Sequence, residues 1–148
     1  MRSRAQSLLP AIEQARQHSE AALRELGERQ NRLSAAERQL ADLRRYRGEY
    51  AQARQADGMT VHALLNLQRF IERIDLGIAQ QEREVTRRRR ALEQAAAAWR
   101  EAHARERALA SVAERASEQE RRGEERREQR DLDERAQRRA PRDRGTSS

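Results

Sequence analysis

The sequence predicts an all-α fold, a long two-helix antiparallel coiled-coil hairpin with an overhanging C-terminal helix. Three observations point to it. Ala, Arg, Glu and Leu number 26, 32, 19 and 14 of 148 residues, and all four are strong helix formers. Apolar residues recur every seven positions along most of the chain, the pattern of helices that wind about each other. With only 6 Gly and 2 Pro, the chain has few places to turn. That excludes a β-sandwich or a Rossmann domain, which need many turns.

The first helix is assigned to residues 1–55, regular from about residue 7. One seam reads Ile12, Ser19, Leu26, Leu33, Leu40, Arg47. The second reads Ala15, Ala22, Arg29, Ala36, Leu43, Tyr50. These are the a and d positions of a heptad. Pro10 falls early, where a proline in the first turn loses no hydrogen bond, and Ser7 is the expected cap.

The turn is assigned to residues 56–60. Gly58 is free to take the left-handed conformation that ends a helix. The Thr60 hydroxyl can cap the next helix. So short a connection makes the two helices antiparallel neighbours.

The second helix continues the heptad. Its a positions are Leu64, Ile71, Ile78, Val85, Leu92, Trp99, Glu106 and Ala113. Its d positions are Leu67, Ile74, Gln81, Arg88, Ala95, Ala102, Leu109 and Ala116. Residues 61–112 are expected to pair with helix 1, at positions whose numbers sum to roughly 116–118. Trp99 then meets Ser19 and Ala22, and Arg29 faces Arg88 in a layer without apolar filling. Residues 113–139 are expected to be an unpaired, charged helical extension. Glu–Arg pairs three or four apart hold such a helix weakly, at about 0.2–0.5 kcal/mol each. Residues 140–148, with Pro141 and a Gly-Thr-Ser-Ser end, are expected to be a disordered tail.

Charge and site chemistry narrow the function. The formal net charge is +7, with no Lys and no Cys. Counted in thirds along the chain, the excess is thin and does not outline a nucleic-acid footprint. The run Arg87–Arg90 lacks the nearby aromatics that stack on bases. His18, His62 and His103 are too far apart to form a helical metal pair. No Gly-rich phosphate loop is present, and two helices enclose no pocket. The reading is therefore a non-enzyme with no cofactor, no metal and no nucleic-acid partner. No signal peptide and no transmembrane segment is found, so a soluble cytoplasmic protein is expected.

Three of the four aromatics carry the sharper message. Gln39, Leu43, Tyr46 and Tyr50 follow i, i+4, i+7, i+11 spacing, and so do Phe70, Ile74, Gly77 and Gln81. Each set draws one stripe along a helix. Both stripes occupy d and g positions and look out of the same side of the hairpin. Leu43, Tyr50 and Ile74 also serve as seam residues. Tyr46 and Phe70 stand at g positions, which are usually charged, so they read as anchors for another protein.

These features together resemble the flagellar export family FliJ. The resemblance is carried by Leu40–Tyr50 (LADLRRYRGEY), Phe70–Gln81 (FIERIDLGIAQQ), Ala98-Trp99-Arg100 and Glu128–Ala136 (EQRDLDERA). It implies a stalk-like component of the flagellar type III export apparatus. Such a stalk engages the hexameric export ATPase, stimulates it, and links it to the cytoplasmic domain of the membrane export gate. The resemblance further implies binding of export chaperones and a peripheral place on the inner membrane at the flagellar base. It puts gate binding on Gln39, Leu43, Tyr46, Tyr50, Phe70, Ile74, Gly77 and Gln81, with Gly77 standing where the family favours Ala. The tail motif offers Glu128, Gln129, Asp131, Leu132, Asp133 and Glu134 for ATPase engagement. The stalk of a virulence-type secretion system and a generic coiled-coil spacer share this architecture and remain as alternatives.

Overall fold

A computed structural model describes residues 3–56 and 58–139. The expected tail, residues 140–148, and Asp57 of the turn lie outside the described residues. Among those described there are two helices and no strand: α1, Arg4–Ala53, and α2, Val61–Arg139. They pack against each other as an all-α helical hairpin.

Each boundary has a local cause. At the start of α1, Ser3 Oγ accepts the Gln6 backbone N–H at 3.1 Å, and Gln6 Oε1 accepts the Ser3 N–H at 3.3 Å. This reciprocal capping box satisfies two donors that would otherwise be orphaned. The cap is thus Ser3, not Ser7, whose hydroxyl donates to the Arg4 carbonyl at 2.8 Å. Pro10 consequently lies inside the helix, past the first turn. The far end of α1 tightens through Gln55 N–H to Gln52 O (3.0 Å) and Ala56 N–H to Ala53 O (3.1 Å). Gly58 has φ of 92°, a conformation that costs an L side chain roughly 1–2 kcal/mol. Thr60 Oγ1 then accepts the Ala63 N–H at 3.1 Å, capping α2 as expected.

The chain divides into two compact units. One comprises residues 17–103. Its buried residues are Ser19, Leu33, Ala36, Leu40, Ile71, Ile74, Val85, Ala95 and Ala102, and every one stands at an a or d position. Leu33, Ala36, Leu40 and Val85 form the central cluster, with Ile78 and Leu92 packed against it. Ile71, 2% exposed, is the largest fully buried side chain. Replacing Ile71 with Ala is expected to lower stability by about 2–5 kcal/mol, read as a drop in the urea midpoint of the helical circular-dichroism signal.

The register differs from the expected one. Tyr50 meets Phe70, Arg47 meets Asp75 and Arg54 meets Gln68, pairs whose numbers sum to about 120–122. Side chains on a helix lean toward its N-terminus. In an antiparallel pair both leans add, and each residue meets one further along its partner than the backbone alone suggests. The shift dissolves the expected Arg29–Arg88 layer. Carried along the helices, the offset sets Arg29 opposite Leu92 and Arg88 opposite Leu33. Each guanidinium is instead drawn sideways by a carboxylate one turn back, Arg29 Nε to Glu25 at 2.7 Å and Arg88 Nε to Glu84 at 2.7 Å. Long arginine stems cover apolar surface while their heads stay wet. Trp99 keeps a small neighbour, since the same register sets it level with Ala22.

Among the described residues, the other unit comprises residues 3–16 and 104–139. Within this unit the two helices pair beyond the expected limit of residue 112. Ala15 and Ala116 are buried, and Glu120 Oε1 accepts the Ala5 backbone N–H at 3.4 Å. That carboxylate near the N-terminus of α1 also complements the helix dipole. The paired stretch therefore reaches about residue 120. From Arg121 to Arg139 every side chain is exposed except half-buried Gly123, and α2 remains helical throughout.

Candidate functional site

The two stripes lie side by side. At one end Gln81 Nε2 donates to Gln39 Oε1 at 3.1 Å and to the Ala36 carbonyl at 3.0 Å. At the other end the Tyr50 and Phe70 rings meet edge to face, centroids 4.8 Å apart. The first member of each stripe thus touches the last of the other. The heptad arrangement explains this. On an antiparallel pair, d and g positions of both helices border the same flank of the seam.

Within the patch the roles divide by depth. Ile74 is buried at 9% exposure and Leu43 is half-buried, so both hold the seam. Gly77 and Gln81 are half-buried. A Cβ at Gly77 would meet nothing, so the alanine that the resemblance favours would fit without rearrangement. Gln39, Tyr46, Tyr50 and Phe70 are exposed. Tyr50, at a d position, was expected to close the seam as well, but it is 37% exposed. Its ring leans out onto Phe70 rather than into the core. Tyr46 is 49% exposed and Phe70 43%, a large apolar area for a single flank. The Arg45 guanidinium carbon lies 5.6 Å from the Tyr46 ring centre, a cation–π contact that helical spacing alone does not reveal. The result is a wet apolar surface with a polar bridge at one end, suited to docking a partner.

The opposite flank is charged. Arg47 Nε donates to Asp75 at 2.9 Å, and Arg44 reaches Glu82 at 3.3 Å. These exposed pairs fix register more than they stabilise. On the patch flank itself, Arg87 and Arg88 both bind Glu84. Burial nudges the Glu84 carboxyl upward, but the two guanidiniums together outweigh it and hold the group below its ordinary value. That contribution is complete at neutral pH and fades as pH falls through the folded-state value.

The tail residues are all on the exposed part of α2. Glu128, Gln129, Asp131, Leu132, Asp133 and Glu134 are exposed, Leu132 at 57%. Gln129 Nε2 donates to Asp133 Oδ1 at 3.2 Å. Trp99 stacks on His103 with centroids 5.0 Å apart. Among the described residues no group of His, Cys, Asp or Glu is arranged to hold a metal, and no helix is long and apolar enough to cross a membrane.

A family model described as "Flagellar FliJ protein" matches residues 4–145. The chain belongs to the flagellar FliJ family. Comparison with curated protein sequences gave no match. FliJ membership makes the chain a component of the flagellar protein export apparatus. The match runs through both helices and the turn between them, so it covers the aromatic patch and the exposed end of α2 alike.

Proposed function

We propose that this FliJ-family chain is the stalk of its export apparatus. It engages the hexameric export ATPase, stimulates its assembly and turnover, and links it to the cytoplasmic domain of the membrane export gate. Export chaperones dock on it as a third class of partner. It has no catalytic activity of its own, and it works peripherally on the cytoplasmic face of the inner membrane at the flagellar base. The observation that carries the reading is the family match along residues 4–145. Two features of the chain support the division of labour. One unit offers an exposed helical end, residues 121–139, with almost no side chain buried. The other offers an apolar patch around Tyr46, Tyr50 and Phe70. The first is the surface for the ATPase and the second for the gate.

Titration of the cognate export ATPase tests the reading. ATP turnover is expected to rise and to saturate near one stalk per hexamer. A folded chain that leaves turnover unchanged at every ratio overturns the ATPase role and leaves an adaptor bound to gate or chaperones.

A further inference from the structure

The outward face of α2 carries a basic stripe. Its outward c and f positions between residues 69 and 90 are Arg69, Arg73, Leu76, Gln80, Arg83, Arg87 and Arg90. All seven are exposed, none is acidic, and they run about 30 Å along the helix. Charge counted in thirds of the chain hides this stripe, because its counter-charges lie on other faces.

Those counter-charges are engaged elsewhere. Along the edges of the stripe, Asp75 is held by Arg47, Glu82 by Arg44, and Glu84 by Arg88 as well as Arg87. Glu72 accepts from Gln68 at 3.5 Å. Among the described residues, Arg69, Arg73, Arg83 and Arg90 make no ion pair. Four guanidiniums thus stand free on one convex ridge, around a leucine that is 67% exposed.

We propose that this stripe binds the anionic surface of a lipid bilayer. The proposal deepens the peripheral membrane location proposed above and does not depend on the ATPase and gate assignments. A convex ridge cannot enclose a small anion, but it can lie along a flat array of phosphates. Arginines near such a surface each strengthen binding about fivefold. Leu76 points from the same ridge and would enter the headgroup–acyl boundary, as apolar residues of interfacial helices do. The stripe has no aromatic to stack on bases, so the bilayer suits it better than a nucleic acid.

Vesicle flotation of the full chain tests this. The probes are vesicles of phosphatidylcholine alone and vesicles with about one-third phosphatidylglycerol. The chain is expected to float with the second and not the first, and to be released as salt rises toward about 0.5 M. Arg73→Gln, Arg83→Gln and Arg90→Gln together are expected to weaken binding more than tenfold with unchanged helix content. Removing the same charge at Arg127, Arg130 and Arg135 is expected to change it less than threefold. Leu76→Ser is expected to weaken binding severalfold at every salt concentration. Absence of flotation, or an equal loss from the two triple variants, overturns the proposal. So does a stripe variant that loses binding to double-stranded DNA while keeping the vesicles, which would make the ridge a nucleic-acid site.

Discussion

Deleting residues 124–148 is expected to return the cognate export ATPase to its unstimulated rate while leaving gate binding intact. The cut follows the structure. Ala116 is 4% exposed and Glu120 accepts the Ala5 N–H, so both must stay for the seam to close. Every side chain from Glu124 to Arg139 is exposed, so its removal uncovers no core. A segment so highly charged gains only a few tenths of a kcal/mol from each Glu–Arg pair. It gains far more by meeting a complementary surface, and this is the basis for assigning it to the ATPase. Steady-state turnover with the truncated chain, alongside circular dichroism, reads the result. Undiminished stimulation would move ATPase engagement off Glu128, Gln129, Asp131, Leu132, Asp133 and Glu134. A cut at residue 112 would not test the same thing, because it removes Ala116 and opens the seam.

Changing Tyr46 and Phe70 together to Ala is expected to weaken binding to the gate domain at least about thirtyfold, the usual effect of removing an aromatic hot spot. The hairpin itself is expected to survive. Both rings are more than 40% exposed, and the internal contacts at stake are the Tyr50–Phe70 edge, worth about 0.5–1.5 kcal/mol, and the exposed Arg45–Tyr46 cation–π contact, worth about 0.5–1 kcal/mol. Ile74→Ala supplies the contrast. Ile74 is 9% exposed, so truncating it is expected to cost about 2–5 kcal/mol of stability and to act on the gate only through unfolding. Calorimetric binding and thermal melting of the two variants separate docking from packing. If the Tyr46/Phe70 variant melts like the Ile74 variant, the aromatic rings are core and the docking assignment fails.

Much of this chain was legible before any coordinates. The seven-residue repeat placed every buried side chain at an a or d position, because a helix has one period and a two-helix core has one seam. Gly58 and Thr60 marked the turn, since so few residues suit a left-handed end and a hydroxyl cap. The stripes that bring Tyr46, Tyr50 and Phe70 to one flank followed from spacing alone. The chain's membership of an export-apparatus family agrees with the resemblance drawn from its motifs.

Other features depended on how two helices meet. The Ser3–Gln6 capping box moved the cap of α1 from Ser7 to Ser3 and left Pro10 past the first turn, because reciprocal bonds outcompete a later single hydroxyl. The pairing offset came from the lean of side chains on both helices, which sequence position does not record. Carried along the helices, that offset sets Arg29 opposite Leu92 and Arg88 opposite Leu33 rather than opposite each other. The exposure of Tyr50 and the free guanidiniums of Arg69, Arg73, Arg83 and Arg90 were decided in the same way. A repeat fixes which residues face inward along one helix. Only the packed pair decides which of them find partners, because contacts and ion pairs across helices depend on register, and register is a property of two surfaces together.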